Sequence, residues 1–271
     1  MINEKKLIAI DLDGTLITDN KKIKLETKLY LRKLERLGNL VCITTGRPER
    51  TTIRFYNKLK LHSPLLSYNG NYIEIPNDPS FKPIANTLNQ NDIRKIYKHL
   101  ANKYIESAFC ENLNTIFYDK RPCFDFTLNE NNHSKNVEGP LDKTLNENPL
   151  IFVVHLTDLS EENRHYITSY VDKNFPHLIV EFWGQNDYGE VHVRGFNKGA
   201  QIKKLMNLYN IKESNVYTFG DSINDIDLVT TFTNGFAMKN SNKRLLAVAH
   251  KVTQYDNNHN GVVKTLKKHI L

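Results

Sequence analysis

A chain of 271 residues can bury a full core in one large domain or two smaller ones. Its 39% apolar and 25% charged residues suit a globular protein, and no run approaches the roughly 20 uninterrupted apolar residues of a membrane span. The net charge of +7 admits a nucleic acid, a membrane surface or an anionic small molecule as partner, but the lysines are spread along helix faces rather than gathered in a block. Three cysteines at wide spacings, Cys42, Cys110 and Cys123, argue against a disulfide framework or a zinc site.

The N-terminal apolar run is too short for a signal peptide and is broken at once by Asp11 and Asp13, so a cytoplasmic location is the default. Residues 6–12, KLIAIDL, read as a buried strand. Leu25, Leu29, Leu31, Leu34 and Leu37 recur at helical steps before Gly38. A strand over NLVCITTGR follows, then a helix opened by Pro48, then a strand over LLSYNG that ends in the turn pair Asn69-Gly70. From about Phe81 to Gly189 the alternation loosens: helices over 92–101 and 161–173 mix with the aromatic-rich strands ENLNTIFYD (111–119), LIFVVHL and LIVEFW, and the polar stretch 128–149 reads as a loop. After Gly195 strand–helix units return: a helix over 198–209, the strand VYTFGD, a helix from Ile223, the strand NGFAM, a helix over 242–249, the short strand KVTQ and a last helix from Gly261.

These units imply an α/β fold: a doubly wound parallel sheet with right-handed crossovers, built from residues 1–82 and 190–271 and interrupted by an inserted α+β domain at 83–189. Ligands of such sheets bind beyond the C-terminal strand ends. Those ends carry Asp11-Leu12-Asp13-Gly14-Thr15, Thr45-Gly46-Arg47 and Asp221-Ser222-Ile223-Asn224-Asp225, and Lys198 opens a helix after the insertion. Four carboxylates gathered at one place need a cation, because like charges a few ångström apart raise one another's pKa. Oxygen-only ligands favour a hard ion, Mg²⁺ first, and such an ion with a lysine, a hydroxyl and helix-start N–H groups suits phosphoryl transfer.

The ordered set Asp-x-Asp-Gly-Thr, Thr-Gly-Arg, Asn-Lys-Gly and Gly-Asp-Ser-x-Asn-Asp resembles the four motifs of the haloacid dehalogenase-like (HAD) hydrolases. The large insertion between the second and third is similar to the Cof-type branch, which carries an α/β cap of the C2B kind there. The resemblance implies a Rossmann-like core, a cap that closes over the site and selects the substrate, and a Mg²⁺-dependent phosphatase of small phosphorylated metabolites such as sugar phosphates. It implies Asp11 as nucleophile and carrier of an aspartyl phosphate, and Asp13 as general acid and base. It gives phosphate binding to Leu12, Thr45, Gly46, Lys198 and Asn224. It gives the metal to Asp11, the backbone carbonyl of Asp13, Asp221 and, through water, Asp225. Membrane and nucleic-acid partners are not expected, and the chain is taken as a monomer or weak homodimer. A phosphomutase, a phosphotransferase or a non-catalytic phospho-ligand-binding regulator would use the same scaffold.

Each residue also has a plainer reading. Asp13-Gly14 can be an ordinary turn, Asp221, Asp225 and Thr45 can be helix caps, and Lys198 can be a solvated lysine. Arg47 can contact substrate, cap a helix or pair with a nearby acid. His155 and His192 read as satisfied structural histidines, and Trp183 and Tyr188 as packing or a substrate-facing wall.

Overall fold

The computed structural model describes residues 4–120, 135–183 and 187–270. They form two compact units: the first runs to Ile84 and resumes at Asn197, and the second is Ala85–Phe196.

The strands of the first unit follow from short apolar runs. β1 (Leu7–Asp11), β2 (Leu40–Thr44) and β3 (Leu65–Ser67) are buried almost throughout, as central parallel strands must be. β4 (Tyr72–Glu74) turns back antiparallel to β3, and β5 (Ile84–Ala85) ends this half of the sheet. After the insertion come β12 (Val216–Gly220) and β13 (Asn234–Ala237), numbered with the second unit's strands β6–β11 between. The sheet order is β13-β12-β1-β2-β3-β4-β5, so β1, the first strand made, sits centrally beside β12.

Alternate residues of β1 feed opposite cores. Ile8 and Ile10 pack among Leu31, Leu34, Phe55 and Val263, from helices α1 (Leu25–Arg36), α2 (Glu49–Leu59) and α8 (Gly261–Ile270). Leu7 and Ala9 pack among Ile202, Leu205 and Leu228, from α6 (Lys198–Leu208) and α7 (Ile226–Thr230). This is the doubly wound arrangement expected of the strand–helix pattern. The periodicity of α1 is corrected in one respect. Leu25, Leu29 and Leu37 are 69%, 55% and 57% exposed, and the buried stripe is Thr27, Tyr30, Leu31 and Leu34. The leucines at 25 and 29 keep a four-residue step but lie outside the narrow face that meets the sheet. The expected strand at KVTQ is reduced to a single bridge from Val252 to Ala237.

The second unit carries a six-stranded sheet in the order β10-β11-β9-β6-β7-β8. Its strands are β6 (Ile105–Glu111), β7 (Thr115–Tyr118), β8 (Lys135–Glu138), β9 (Ile151–Leu156), β10 (Leu178–Phe182) and β11 (Tyr188–Val193). All neighbours pair antiparallel except β7 and β8. Helices α3 (Gln90–Leu100) and α5 (Glu161–Asn174) cover the face that presents Cys110, Phe152, Val154 and Val191.

Part of the stretch read as a loop is structured. β8 and a short helix, α4 (Leu141–Thr144), lie within 128–149, while residues 128–134 fall outside the described residues. Tyr188–Val193 pairs with strands on both sides in this unit, so the chain returns to the first unit at 196/197 rather than at 189/190.

Candidate active site

Three strand ends of the first unit and the start of α6 build one polar cluster. β1 ends on Asp11, which is 5% exposed, and the chain then makes a single wide turn over Leu12–Leu16, closed by the Ile17 N–H donating to the Leu12 carbonyl at 3.0 Å. Gly14 sits in this turn at φ 68, and a β-carbon there would lie 2.3 Å from Oδ2 of Asp221. Only glycine allows both that backbone and that approach. The Asn240 amide braces the turn by donating to the Gly14 carbonyl at 2.8 Å.

Asp221 follows β12. The Thr15 hydroxyl donates to its Oδ1 at 2.9 Å, which joins the first motif to the last. Asp225, four residues on, is fully buried, and its Oδ2 accepts the backbone N–H groups of Asp221 and Ser222, each at 3.0 Å. These bonds cap the short turn that starts at Ile223, so the capping reading of Asp225 holds alongside any other role. Lys198 is 0% exposed at the start of α6, and its ammonium lies 2.7 Å from Oδ1 of Asp11 and 2.7 Å from Oδ1 of Asp225. The solvated-lysine reading is therefore excluded.

Thr45, 2% exposed, follows β2; its Oγ1 accepts the Arg47 N–H at 3.1 Å and its carbonyl accepts the Asn69 N–H at 2.9 Å. A β-carbon on Gly46 would stand 3.1 Å from Oδ1 of Asn69 and 3.3 Å from Nδ2 of Asn224, so the loops after β2, β3 and β12 meet at this glycine. The Asn224 amide donates to Oδ1 of Asn69 at 2.9 Å. Asn69 was legible in the sequence only as a turn residue. Its signal was the Asn-Gly pair after a core strand, and it occupies the left-handed region at φ 55.

The carboxylates divide into two groups. Asp11, Asp221 and Asp225 each offer an oxygen within 4.8 Å of the others. Asp13 points elsewhere: Arg47 grips it with Nε at 2.5 Å and Nη2 at 2.8 Å, and Lys21 adds a contact at 2.7 Å. Arg47 thus pairs with an acid, one of its three readings, and Asp13 stands apart from the acidic trio by its side chain.

Electrostatics follow this division. Burial raises the Asp11 carboxyl well above the usual carboxylate range, and Asp225 adds to the rise against the opposing pull of Lys198. Asp221 is pushed up to about 7, by burial first and the neighbouring Asp225 second. Burial would raise Asp13 as well, but the hydrogen bonds from Arg47 and Lys21 outweigh it and hold that carboxyl below its ordinary value. Burial disfavours the Lys198 ammonium, yet Asp11 and Asp225 overcome this and raise it above the ordinary lysine value.

Three clustered carboxylates, when ionised, leave two negative charges uncompensated by the one ammonium. Oδ2 of Asp11 and Oδ2 of Asp221 accept no hydrogen bond among the described residues, whereas both oxygens of Asp225 do. An all-oxygen donor set with that deficit suits a hard divalent cation, for which Asp11 and Asp221 offer open oxygens.

Comparison with known proteins identifies the family. A profile of the haloacid dehalogenase-like hydrolases matches residues 8–266. The chain belongs to the haloacid dehalogenase-like hydrolases. It lies in their Cof-type branch and is a phosphatase on that scaffold. A putative phosphatase of Metamycoplasma hominis is 31% identical over 243 residues, covering 82% of this chain and 81% of that protein. The 5-amino-6-(5-phospho-D-ribitylamino)uracil phosphatase YitU of Bacillus subtilis is 26% identical over 268 residues, 97% of each chain. A crystal structure of a haloacid dehalogenase-like hydrolase from Bacteroides thetaiotaomicron superposes with a TM-score of 0.79 at 20% identity, covering 98% of this chain and 99% of that one. No helix of this phosphatase, among the described residues, is long and apolar enough to cross a membrane.

Proposed function

We propose that the phosphatase hydrolyses small phosphorylated metabolites, sugar phosphates or similar, through an aspartyl phosphate on Asp11 with Mg²⁺ bound at the acidic trio. The observation that carries this reading is the split between the two aspartates of the first motif. Asp11 is buried against Lys198, and Asp13, two residues on, is turned away and held by Arg47 and Lys21. One carboxylate can then face phosphorus while the other faces the departing oxygen.

In the first step an oxygen of Asp11 bonds to phosphorus as the ester P–O bond breaks, and the protonated form of Asp13, which Arg47 and Lys21 disfavour in the free site, gives its proton to the leaving oxygen. In the second step Asp13, now ionised, takes a proton from water as that water attacks phosphorus and releases Asp11. Lys198 balances charge on Asp11 and on the transferring group. The Leu12 and Gly46 N–H groups, the Thr45 hydroxyl and the Asn224 amide hold phosphoryl oxygens, and Asn69 orients that amide. When bound, the metal supplies a positive charge that neutralises and orients the phosphate.

The inserted unit supplies the choice of leaving group in this reading. A phosphorylated sugar or sugar-like substrate is supported by the relative named for a phosphoribityl compound. The test is hydrolysis of p-nitrophenyl phosphate with Mg²⁺ by wild type and Asp11→Asn. A loss of about four orders of magnitude or more is expected, since both the covalent step and a metal ligand go. Equal rates end the assignment.

A further inference from the structure

We infer that Lys21 is a positioning residue for Asp13, holding its carboxyl group in the orientation from which the proton reaches the leaving oxygen. The inference rests on Asp13 being the proton donor.

Arg47 grips one edge of Asp13 through two parallel contacts. A fork on one edge defines the plane of the carboxylate but lets it swing with the arginine side chain. Lys21 closes on Oδ1 from a different segment, so the group is tied at two independent points.

A half-exposed lysine paired with a carboxylate is ordinarily a weak and replaceable contact. Here the backbone that carries it is built for the purpose. Residues 18–22 form a tight turn in which the Lys21 N–H donates to the Thr18 carbonyl at 2.8 Å and the Thr18 N–H donates to the Lys22 carbonyl at 3.0 Å. The Lys22 N–H adds a bond to Oγ1 of Thr18 at 3.2 Å. Lys21 itself is left-handed at φ 54, an uncommon conformation for a residue other than glycine.

The surroundings are visible. Asp19, in the same turn, accepts from Asn257 at 2.9 Å and from Asn258 at 2.8 Å, and its own N–H donates to Asn258 at 3.2 Å. Asn257 is 4% exposed and also donates to the Ile17 carbonyl at 3.0 Å. The Lys24 ammonium donates to the Asn258 carbonyl. The turn is thus pinned to a segment near the C-terminus, and the lysine leaves a held backbone at a fixed distance from Asp13. Misplacing a proton donor by a fraction of an ångström costs rate without loss of fold. Arg47 and Lys21 also favour the ionised carboxylate that remains when the proton leaves, so loss of Lys21 makes the proton easier to keep, and only a loss of position lowers the rate in Lys21→Met.

The test uses the dependence on leaving group. A dinitrophenolate departs without a proton, whereas an alkoxide needs one, and kcat/KM reports events up to leaving-group departure. The ratio of kcat/KM for ethyl phosphate to that for dinitrophenyl phosphate is measured with Mg²⁺ for wild type, Lys21→Met, Lys21→Arg and Asp13→Asn. Lys21→Met lowers the ratio about tenfold, a part of the roughly 10²–10⁴-fold that a proton donor contributes, and Lys21→Arg restores most of it. Asp13→Asn lowers it further. A merely structural lysine would lower both substrates alike and leave the ratio unchanged; that result, with the ratio collapsed in Asp13→Asn, overturns the role of Lys21 alone. A ratio untouched by Asp13→Asn removes the proton-donor reading, and this inference with it.

Discussion

Asp221→Asn is expected to stabilise the phosphatase without metal while removing its response to Mg²⁺. In the folded, metal-free chain the Asp221 carboxyl is pushed from 3.8 up to about 7 by burial and by Asp225. The folded state therefore holds that proton more tightly than the unfolded chain does. Stability is greatest below 3.8, falls as pH rises between 3.8 and about 7, and the whole contribution is lost above about 7. At about 1.4 kcal/mol per pKa unit the ionised carboxylate costs at most about 4 kcal/mol, and screening by nearby solvent brings this nearer to about 2 kcal/mol. Asparagine keeps an oxygen to accept the Thr15 hydroxyl and carries no charge. In EDTA at alkaline pH the variant should melt about 5 °C above wild type. Saturating Mg²⁺ adds about 3 kcal/mol to wild type at a hundredfold excess over Kd, and far less to the variant. The assay is thermal unfolding by circular dichroism, with EDTA and with Mg²⁺. A variant that melts below wild type in EDTA, or an equal rise of both on adding Mg²⁺, would refute the account of the trio as a charge deficit awaiting a cation.

Gly14→Ala meets both a left-handed backbone and the Asp221 carboxylate at 2.3 Å, so it should weaken Mg²⁺ binding by calorimetry and lower stability by about 2 kcal/mol or more in urea. His192 lies 3.3 Å from Glu181 and 3.5 Å from Glu190. Burial alone would lower its pKa, but the two carboxylates outweigh burial and raise it to about 10. That pairing contributes its full stability below about 6.5 and loses it as pH rises through about 10, so His192→Gln should flatten the fall in melting temperature over that range. An unchanged slope would mean that the ring is held neutral.

The core and the polar cluster at its strand ends were legible because the polar groups directly follow apolar strands. Asp11 after LIAI, Asp221 after VYTFG and Thr45 after LVCIT could only be strand ends, and strand ends of a parallel sheet converge. Less visible were groups whose position depends on another loop. Asn69 needs Asn224 opposite it, and Arg47 needs Asp13, which local sequence cannot show. The second unit was harder for a different reason. β8 is an edge strand whose only apolar residue is Val137, so its composition is that of a loop. In β11 Glu190, Val191, His192 and Val193 keep the polar–apolar alternation of a strand, but the polar positions Glu190 and His192 are buried as well, so the alternation does not mark a solvent face. The run over 111–119 is the end of β6, the turn at Asn112 and Asn114, and β7, two strands rather than one.

The place of β1 in the sheet bears on how the chain is made. Its partner on one side, β2, emerges from the ribosome soon after it, but its partner on the other, β12, emerges only after the whole inserted unit. Until β12 is made, an interior strand of the sheet therefore presents a bare hydrogen-bonding rim along Leu7, Ala9 and Ile10. A chain that stops before Val216 leaves this rim unpaired, and residues 216–220 close it.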